Sequence, residues 1–348
     1  MIAIAVSGGI DSLVSAWLLK NQGHQLMALH FLTGYETKSC ILAQEELKRI
    51  LLKLDIPLII VDLHHVFQDN IVHYFVKSYL TSQTPNPCLM CNAQIKFGEL
   101  LKHAKELGAD KLATGHYARI HKDSAGYHLL KGKDIQKDQS YFLSMLTQSQ
   151  LHQAIFPLAH MTKNEVNLLA STHNLTPPVH KESQEICFIH HDNYKEFLIQ
   201  NNYVISRPGP IKTTFGDIIG YHQGLHEFTI GQRKGINCPA AHPYYVISLN
   251  QKENTLIVGQ KEELMANECN VENINWIQPA PTQSIECKVR VRYRSKEEVA
   301  TVVPEVNNRA TVCFQNPQMA ITPGQGAVFY CDQEIIGAGW IGRCPGLY

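Results

Sequence analysis

The stretch that most narrows the fold is residues 2–20, IAIAVSGGIDSLVSAWLLK. An apolar strand runs into Ser7-Gly8-Gly9-Ile10-Asp11-Ser12, and a helix that buries Leu13, Val14, Trp17 and Leu18 follows at once. Two glycines let the backbone turn tightly and leave its N–H groups uncovered, while the helix directs its positive end at the same point. Such a loop holds phosphate. A Walker loop would end in Gly-Lys-Ser/Thr; this one has no lysine, and Asp11 stands where a carboxylate can hold Mg2+ against a pyrophosphate. The pattern suggests ATP cleaved between its α and β phosphates. A plain strand-to-helix turn with a capping Asp would satisfy the same six residues.

Periodicity extends the motif into a sheet. Up to about residue 200, IAIAV, LMALHF, LIIVDL and KLATGHY read as strands separated by segments of helical length, the pattern of a parallel α/β sheet with ligand crevices at its carboxyl ends. Leu47, Ile50, Leu51 and Leu54 share one helix face, as do Phe97, Leu100, Leu101 and Ala104, with Gly108 as a stop. After SRPGP at 206–210 the texture becomes short β-runs with Gly, Pro and Asn turns. The expected division is an α/β catalytic domain over 1–205 and two small, mainly β domains over 206–276 and 277–348. No run approaches the roughly 20 apolar residues that span a bilayer, and residues 2–6 lack a basic leader. A cytoplasmic protein without membrane partners is expected, its ten cysteines reduced rather than paired in a disulfide framework. With 31 basic and 31 acidic residues, a polyanion must be met by a local patch.

Cysteine chemistry concentrates in two places, TPNPCLMCNAQIKF at 84–97 and ESQEICFI at 182–189. The first predicts an irregular loop with Cys91 just before a helix that begins near Asn92, where the helix's positive end would lower the thiol pKa and make a nucleophile. Cys88 lies three residues earlier, a spacing used for zinc, iron–sulfur ligation and dithiol redox work alike. Closed zinc would ask for a second Cys-x-x-Cys, which the chain lacks. Cys187 would serve equally as a small buried hydrophobe.

Eight motifs, AVSGGIDS, TPNPCLMCNAQIKF, ATGHYARI, KDQSYFL, ESQEICFI, FTIGQRKGI, VRYR and TPGQGAVFY, stand in the order seen in bacterial tRNA-specific 2-thiouridylases, and the resemblance runs from residue 2 to about 340. It implies a Rossmann-like PP-loop domain, two β domains of which the last is a β-barrel, and an enzyme that adenylates O2 of the wobble uridine of tRNA (U34) and replaces that oxygen with sulfur. By resemblance the nucleotide site is Ala5, Val6, Ser7, Gly8, Gly9, Ile10, Asp11 and Ser12 with Phe31 and Gly115. Sulfur would arrive as a persulfide on Cys187 from a sulfur carrier or cysteine desulfurase. Cys91 would release it by forming a disulfide, or attack the substrate. Asn86, Pro87 and Cys88 would hold the flipped base of the anticodon stem-loop. His116, Lys137, Asp138, Gln139, Arg292, Tyr293 and Gln325 would contact tRNA. Two departures stand out. Many members carry Asp where this chain has Cys88, and three thiols, Cys88, Cys91 and Cys187, could instead hold a 4Fe-4S cluster. The loop after Phe31, LTGYETKSC, is shorter than usual and lacks the family's tryptophan.

KVRVRYRSK at 288–296 carries the RNA signal in the residues themselves. As a strand it would project Lys288, Arg290, Arg292, Arg294 and Lys296 from one face, a column of like charge that calls for a phosphate backbone. His64/His65 and His190/His191 are adjacent pairs whose side chains diverge, so no histidine metal site is expected. Three classes remain: a tRNA thiolase, including a paralogue using a 4Fe-4S cluster or another tRNA position; a small-molecule ATP pyrophosphatase or ligase, which needs neither cysteine motif; and a noncatalytic RNA-binding protein.

Overall fold

The computed structural model describes residues 1–179, 186–189, 193–239 and 242–342. The first sheet is parallel throughout and runs β3 (Leu58–Asp62), β2 (Leu26–Leu32), β1 (Ile2–Ala5), β4 (Lys111–Ala113), β7 (Ala154–Ile155). Alternation along the strands supplies two cores. Ala3, Met27 and Leu29 face one cluster, whereas Ile4, Leu26 and Ala28 face another with α1 (Ile10–Asn21) and α2 (Lys38–Lys53), so both faces are covered. On α2, Leu47 and Leu51 are buried and Ile50 and Leu54 half-buried, as the spacing predicts; Phe97, Leu100, Leu101 and Ala104 are all buried. On α1, Trp17 and Leu18 are only half-buried, and Trp17 stacks on His173 at 4.1 Å. β1 has β2 on one side and β4 on the other, so strand order reverses direction there and opens the crevice beside Gly8.

The later chain is β, as expected. β8 (Gly209–Thr213), β9 (Ile218–His222), β10 (Tyr245–Asn250) and β11 (Thr255–Gly259) form a four-stranded sheet over a core of Ile211, Phe228, Val246, Leu256 and Val258. β12 (Met265–Trp276), β15 (Arg309–Met319), β14 (Glu298–Glu305), β13 (Ile285–Arg290), β16 (Gly326–Cys331) and β17 (Glu334–Ile341) pair in that order, and β17 returns to β12. The ring is a closed six-stranded barrel, which removes every sheet edge within it. β12 belongs to this barrel by pairing, although the sequence division at 276/277 places it in the preceding unit.

Two further features were not anticipated. A hairpin of β5 (Ala118–Lys122) and β6 (Tyr127–Lys131), inserted after β4, pairs with β17 and joins the catalytic domain to the barrel. The strand expected over 288–296 ends at Arg290, because Arg290 turns inward: its guanidinium lies 2.7 Å from Glu297, which also meets Lys131 of β6 at 2.6 Å, and it covers the Tyr330 ring. The following residues form bends and a turn, leaving Lys288, Arg292, Arg294 and Lys296 exposed and Arg290 held inside.

Candidate active site

The glycine loop is built from its own backbone. Gly8 adopts φ +84°, a left-handed conformation that favours glycine, and Gly9 is the N-cap of α1. Ser12 Oγ donates to Gly9 C=O (2.9 Å) and accepts from Ser7 N–H (3.2 Å), closing the loop on the first helical turn. Leu13 N–H bonds back to Gly9 C=O, so the amides of residues 10–12 have no intrahelical acceptor and face the crevice end of the helix. Val179 N–H donates to Gly8 C=O at 3.1 Å, bringing the chain that leads toward Cys187 against the loop. Gly115 lies on the other wall: a Cβ there would stand 2.8 Å from the Asp11 carbonyl carbon and the Ser12 amide nitrogen. Phe31 is half-buried near the end of β2.

Asp11 does not stand alone. Lys163 Nζ reaches both its oxygens, at 2.7 and 2.8 Å, and Tyr117 Oη donates to Oδ1 at 2.7 Å. Neither partner was anticipated. One signal was nonetheless legible: Lys163 is the first residue of a helix, Lys163–Thr172, where a cation opposes the helix dipole.

The thiols gather at the cysteine helix and the 186–189 segment. The cysteine helix comprises Pro87–Met90, a π-helical Cys91–Leu100 and Leu101–Glu106. It begins at Pro87, whose fixed φ suits a first helical position, so Cys91 lies a full turn inside and not at the N-terminus. The expected lowering of its pKa does not occur: burial pushes the Cys91 thiol up to about 11, opposed by Lys96. Burial likewise raises the Cys88 and Cys187 thiols, and Cys187 is further raised by Cys91 and Cys88, which places the three together. Cys187 retains an exposed surface. Phe188 anchors it, packing against Phe75 (5.3 Å), Phe197 (5.5 Å), Phe67 (5.7 Å) and Tyr35 (5.8 Å). Tyr35 comes from the short loop after Phe31, which therefore supports the Cys187 segment. Residues 182–185 of the second cysteine motif, and His190 and His191, lie outside the described residues.

Among the described residues no three of His, Cys, Asp and Glu converge as a metal requires, Cys88, Cys91 and Cys187 included, so this placement does not fit a cluster held by those thiols. The described cysteines are free thiols.

Most residues expected to meet RNA are buried or half-buried in the free protein. His116 is buried, pairs with Thr114 Oγ1 at 2.7 Å, and has its pKa driven well down by burial and by Lys96, so the ring is neutral. Asn86 and Pro87 are buried at the start of the cysteine helix. Asp138 is buried, accepting from Gly132 N–H and from Ser140 N–H and Oγ. Gln139 accepts from Tyr117 N–H. Tyr293 donates to Asp138 C=O (3.2 Å) and packs on Phe142, and Gln325 donates to Thr84 and Pro85 C=O (3.0 and 3.1 Å), so the barrel clamps the loop ahead of Cys88. Lys137 is half-exposed and Arg292 exposed.

Comparison with known proteins agrees with this layout. Family models described as a tRNA methyl transferase HUP domain, a tRNA methyl transferase PRC-barrel domain and an aminomethyltransferase beta-barrel domain match residues 1–191, 195–260 and 266–341. A tRNA-specific 2-thiouridylase of Desulfosudis oleivorans is 47% identical over 341 residues, covering 98% of this chain and 94% of the relative. The chain belongs to the tRNA-specific 2-thiouridylase family. Another 2-thiouridylase, from Geobacter metallireducens, is 39% identical over 98% of this chain and 96% of its own length. A solved 4-thiouridine synthetase in complex with RNA and ATP overlays loosely, with TM-score 0.37 and 18% identity over 57% of this chain and 50% of that one, too loose to argue from. Among the described residues of this 2-thiouridylase family member, no helix is long and apolar enough to cross a membrane.

Proposed function

We propose that this family member carries out tRNA 2-thiolation with ATP held at the glycine loop beside Gly115 and sulfur delivered from the clustered thiols to the same uridine. The observation that carries the reading is that Cys88, Cys91 and Cys187, from segments about a hundred residues apart, lie within electrostatic reach of one another, while Val179, on the chain that leads to Cys187, bonds to Gly8 of the glycine loop. Although the family-model descriptions speak of methyl transfer, the relatives are named for thiolation, and a phosphate loop beside clustered thiols suits the second. Asp11 would hold Mg2+, which would neutralise charge on the pyrophosphate, and Ala5 to Ser12 with Phe31 and Gly115 would surround ATP. Uridine O2 of the wobble position attacks the α-phosphorus and pyrophosphate leaves. The oxygen, a poor leaving group, becomes part of AMP.

Sulfur follows in balanced steps. A sulfur-carrier persulfide transfers its outer sulfur to Cys187, and the carrier departs as a thiol. The terminal sulfur of Cys187–S–S⁻ bonds to C2 while AMP leaves with O2 and its electron pair. Cys91 thiolate then attacks Cys187 Sγ; the S–S bond to the substrate sulfur breaks, giving 2-thiouridine and a Cys91–Cys187 disulfide that a thiol reductant returns to two thiols. Lys137, Gln139, Arg292 and the exposed barrel cations face the anticodon stem-loop, in a cytoplasmic setting.

The test is nucleoside mass spectrometry of tRNA treated with the protein, ATP, Mg2+ and a persulfide donor. Wobble 2-thiouridine with equivalent AMP and pyrophosphate supports the reading; pyrophosphate formed without tRNA, or no thionucleoside, overturns it. Cys187→Ser is expected to keep tRNA-dependent pyrophosphate release while thiolation falls at least about 1,000-fold, the scale of losing a nucleophile. Activity that tracks iron content in anaerobically purified protein would replace the persulfide route by the cluster route.

A further inference from the structure

Lys96 is a half-buried cation without a counter-charge. Among the described residues its ammonium has no carboxylate within ion-pair distance and no hydrogen-bond acceptor. Lysine is seldom buried unless paired, since an uncompensated charge is costly to desolvate. What surrounds it instead is sulfur: Cys88 and Cys91 on its own helix, Cys187 from the 186–189 segment, and the neutral ring of His116 after β4 all lie within its electrostatic reach.

Its direction is set by the backbone. Five residues along an α-helix turn through about 500°, leaving positions 91 and 96 roughly 140° apart. The i→i+5 bonding of the π-helical Cys91–Leu100 widens the turn and brings residue 96 close to the face of residue 91 instead, one turn on. Two features hold this turn. Gln150 Nε2, from the helix Gln148–Gln153, donates to Ala93 C=O (2.7 Å) and Phe97 C=O (3.0 Å). At Gly98 a Cβ would come within 3.1 Å of the Ala93 oxygen, so a larger residue would press on the same carbonyl.

We propose that Lys96 is the counter-cation of the sulfur-transfer step, pairing with the anionic sulfur as it passes from Cys187 to substrate and as Cys91 closes the disulfide, and that Gln150 is the positioning residue that aims it. The inference rests on the thiolation reading above. Each of those steps places a full negative charge on sulfur, and among the described residues no carboxylate pairs with the lysine in competition. Adenylation is the work of the glycine loop and places no charge on sulfur, so it does not need the lysine.

The experiment measures both half-reactions on the full chain: tRNA-dependent pyrophosphate release, and single-turnover thiolation from enzyme whose Cys187 has been loaded by a small-molecule persulfide donor. Lys96→Gln is expected to leave pyrophosphate release within about twofold and slow thiolation about 100-fold, the usual scale for removing one preorganised charge partner. Lys96→Arg should restore most of the rate with KM for tRNA unchanged. Gln150→Ala, which keeps the charge and loosens the turn, should slow thiolation about tenfold in the same selective way, and it decides the matter if Lys96→Gln does not fold. Equal thiolation rates in wild type and Lys96→Gln overturn the proposal, as does a parallel loss of pyrophosphate release, which would assign Lys96 to the nucleotide or the RNA. Wild-type protein that adenylates no tRNA fails at the first half-reaction and sinks the thiolation reading itself, a result distinct from either.

Discussion

The two ends of the active site are made by different means. At the nucleotide end, Ser7 to Ser12 are contiguous, their geometry follows from two glycines and a helix start, and the loop closes on itself through short-range bonds such as Ser12 Oγ to Gly9 C=O, while Lys163 and Tyr117 reach only the Asp11 side chain from afar. At the sulfur end, the groups come from Cys88 and Cys91, His116 and Cys187, and what fixes them is tertiary: a π turn braced by Gln150 and an aromatic nest around Phe188. A loop that binds phosphate with backbone amides needs few particular side chains, because the donors are already there. Thiols have no such local scaffold. Burial raises all three, so the sulfur end starts from protonated, unreactive groups and must be activated when substrate arrives.

The sharpest break of the comparison is therefore pH. With its thiol at about 11, Cys91 should alkylate about tenfold faster for each pH unit from 7 to 10, roughly 1,000-fold in all, where a solvent thiol levels off near 8.5. Peptide mass spectrometry after timed iodoacetamide treatment reads this directly; a plateau below pH 9 would mean that the recess is wet. Stability follows the same sign. The fold favours the protonated thiol, so the Cys91 contribution is present below about 8.5 and is lost as pH rises toward 11. Nucleotide-loop chemistry has no such dependence on a raised thiol, and tRNA-dependent pyrophosphate release should vary far less over this range.

Next in size is Lys163. It holds both carboxylate oxygens of Asp11 at 2.7 and 2.8 Å while only about an eighth of its side chain is exposed. Any cation that Asp11 receives must displace or share that lysine, and the freed ammonium then stands beside the pyrophosphate. Lys163→Met should reduce tRNA-dependent pyrophosphate release about 100-fold. Thiolation would fall in parallel, the opposite of the selective loss expected from Cys187→Ser. Unchanged pyrophosphate release would leave Lys163 as a clamp on Asp11 alone.

How much of this was readable beforehand follows the same division. The glycine loop, the parallel sheet, and the buried faces of α2 and the cysteine helix rest on short-range patterns, and the sequence carries them openly; the barrel comes only through resemblance, since its closure by β17 onto β12 is long-range. Gly115 was placed correctly beside the loop only through resemblance; the physical reason, a backbone approach of 2.8 Å, is tertiary. Cys91 was put at a helix start because two prolines suggested an irregular loop, whereas Pro87 begins the helix and moves Cys91 inward. Lys96 sat in plain view within NAQIKF, yet its importance depends on i→i+5 bonding, which no hydrophobic period announces. Arg290 was counted in an outward cationic column, but strand alternation cannot foresee that Glu297 and Lys131 will draw it in.

That last difference yields the smallest expected effect and separates two arginines four residues apart. Arg294 is exposed on the turn after β13 and has only solvent or a polyanion to meet. Arg294→Ala should raise KM for tRNA about two- to fivefold, lower the slope of binding against log salt by about one, and leave the melting temperature unchanged. Arg290 shares Glu297 with Lys131, and its Nε is buried without a partner, so Arg290→Ala should act on the joint between β6 and the barrel. Lys131 still pairs Glu297 when Arg290 is removed, so the loss is one charge-assisted hydrogen bond, about 2 kcal/mol, and this change should lower the melting temperature with little effect on the salt slope. If both variants instead weakened tRNA equally at unchanged melting temperature, Arg290 would have to turn outward when RNA binds. The strand end at residue 290 would then be a feature of the free protein alone.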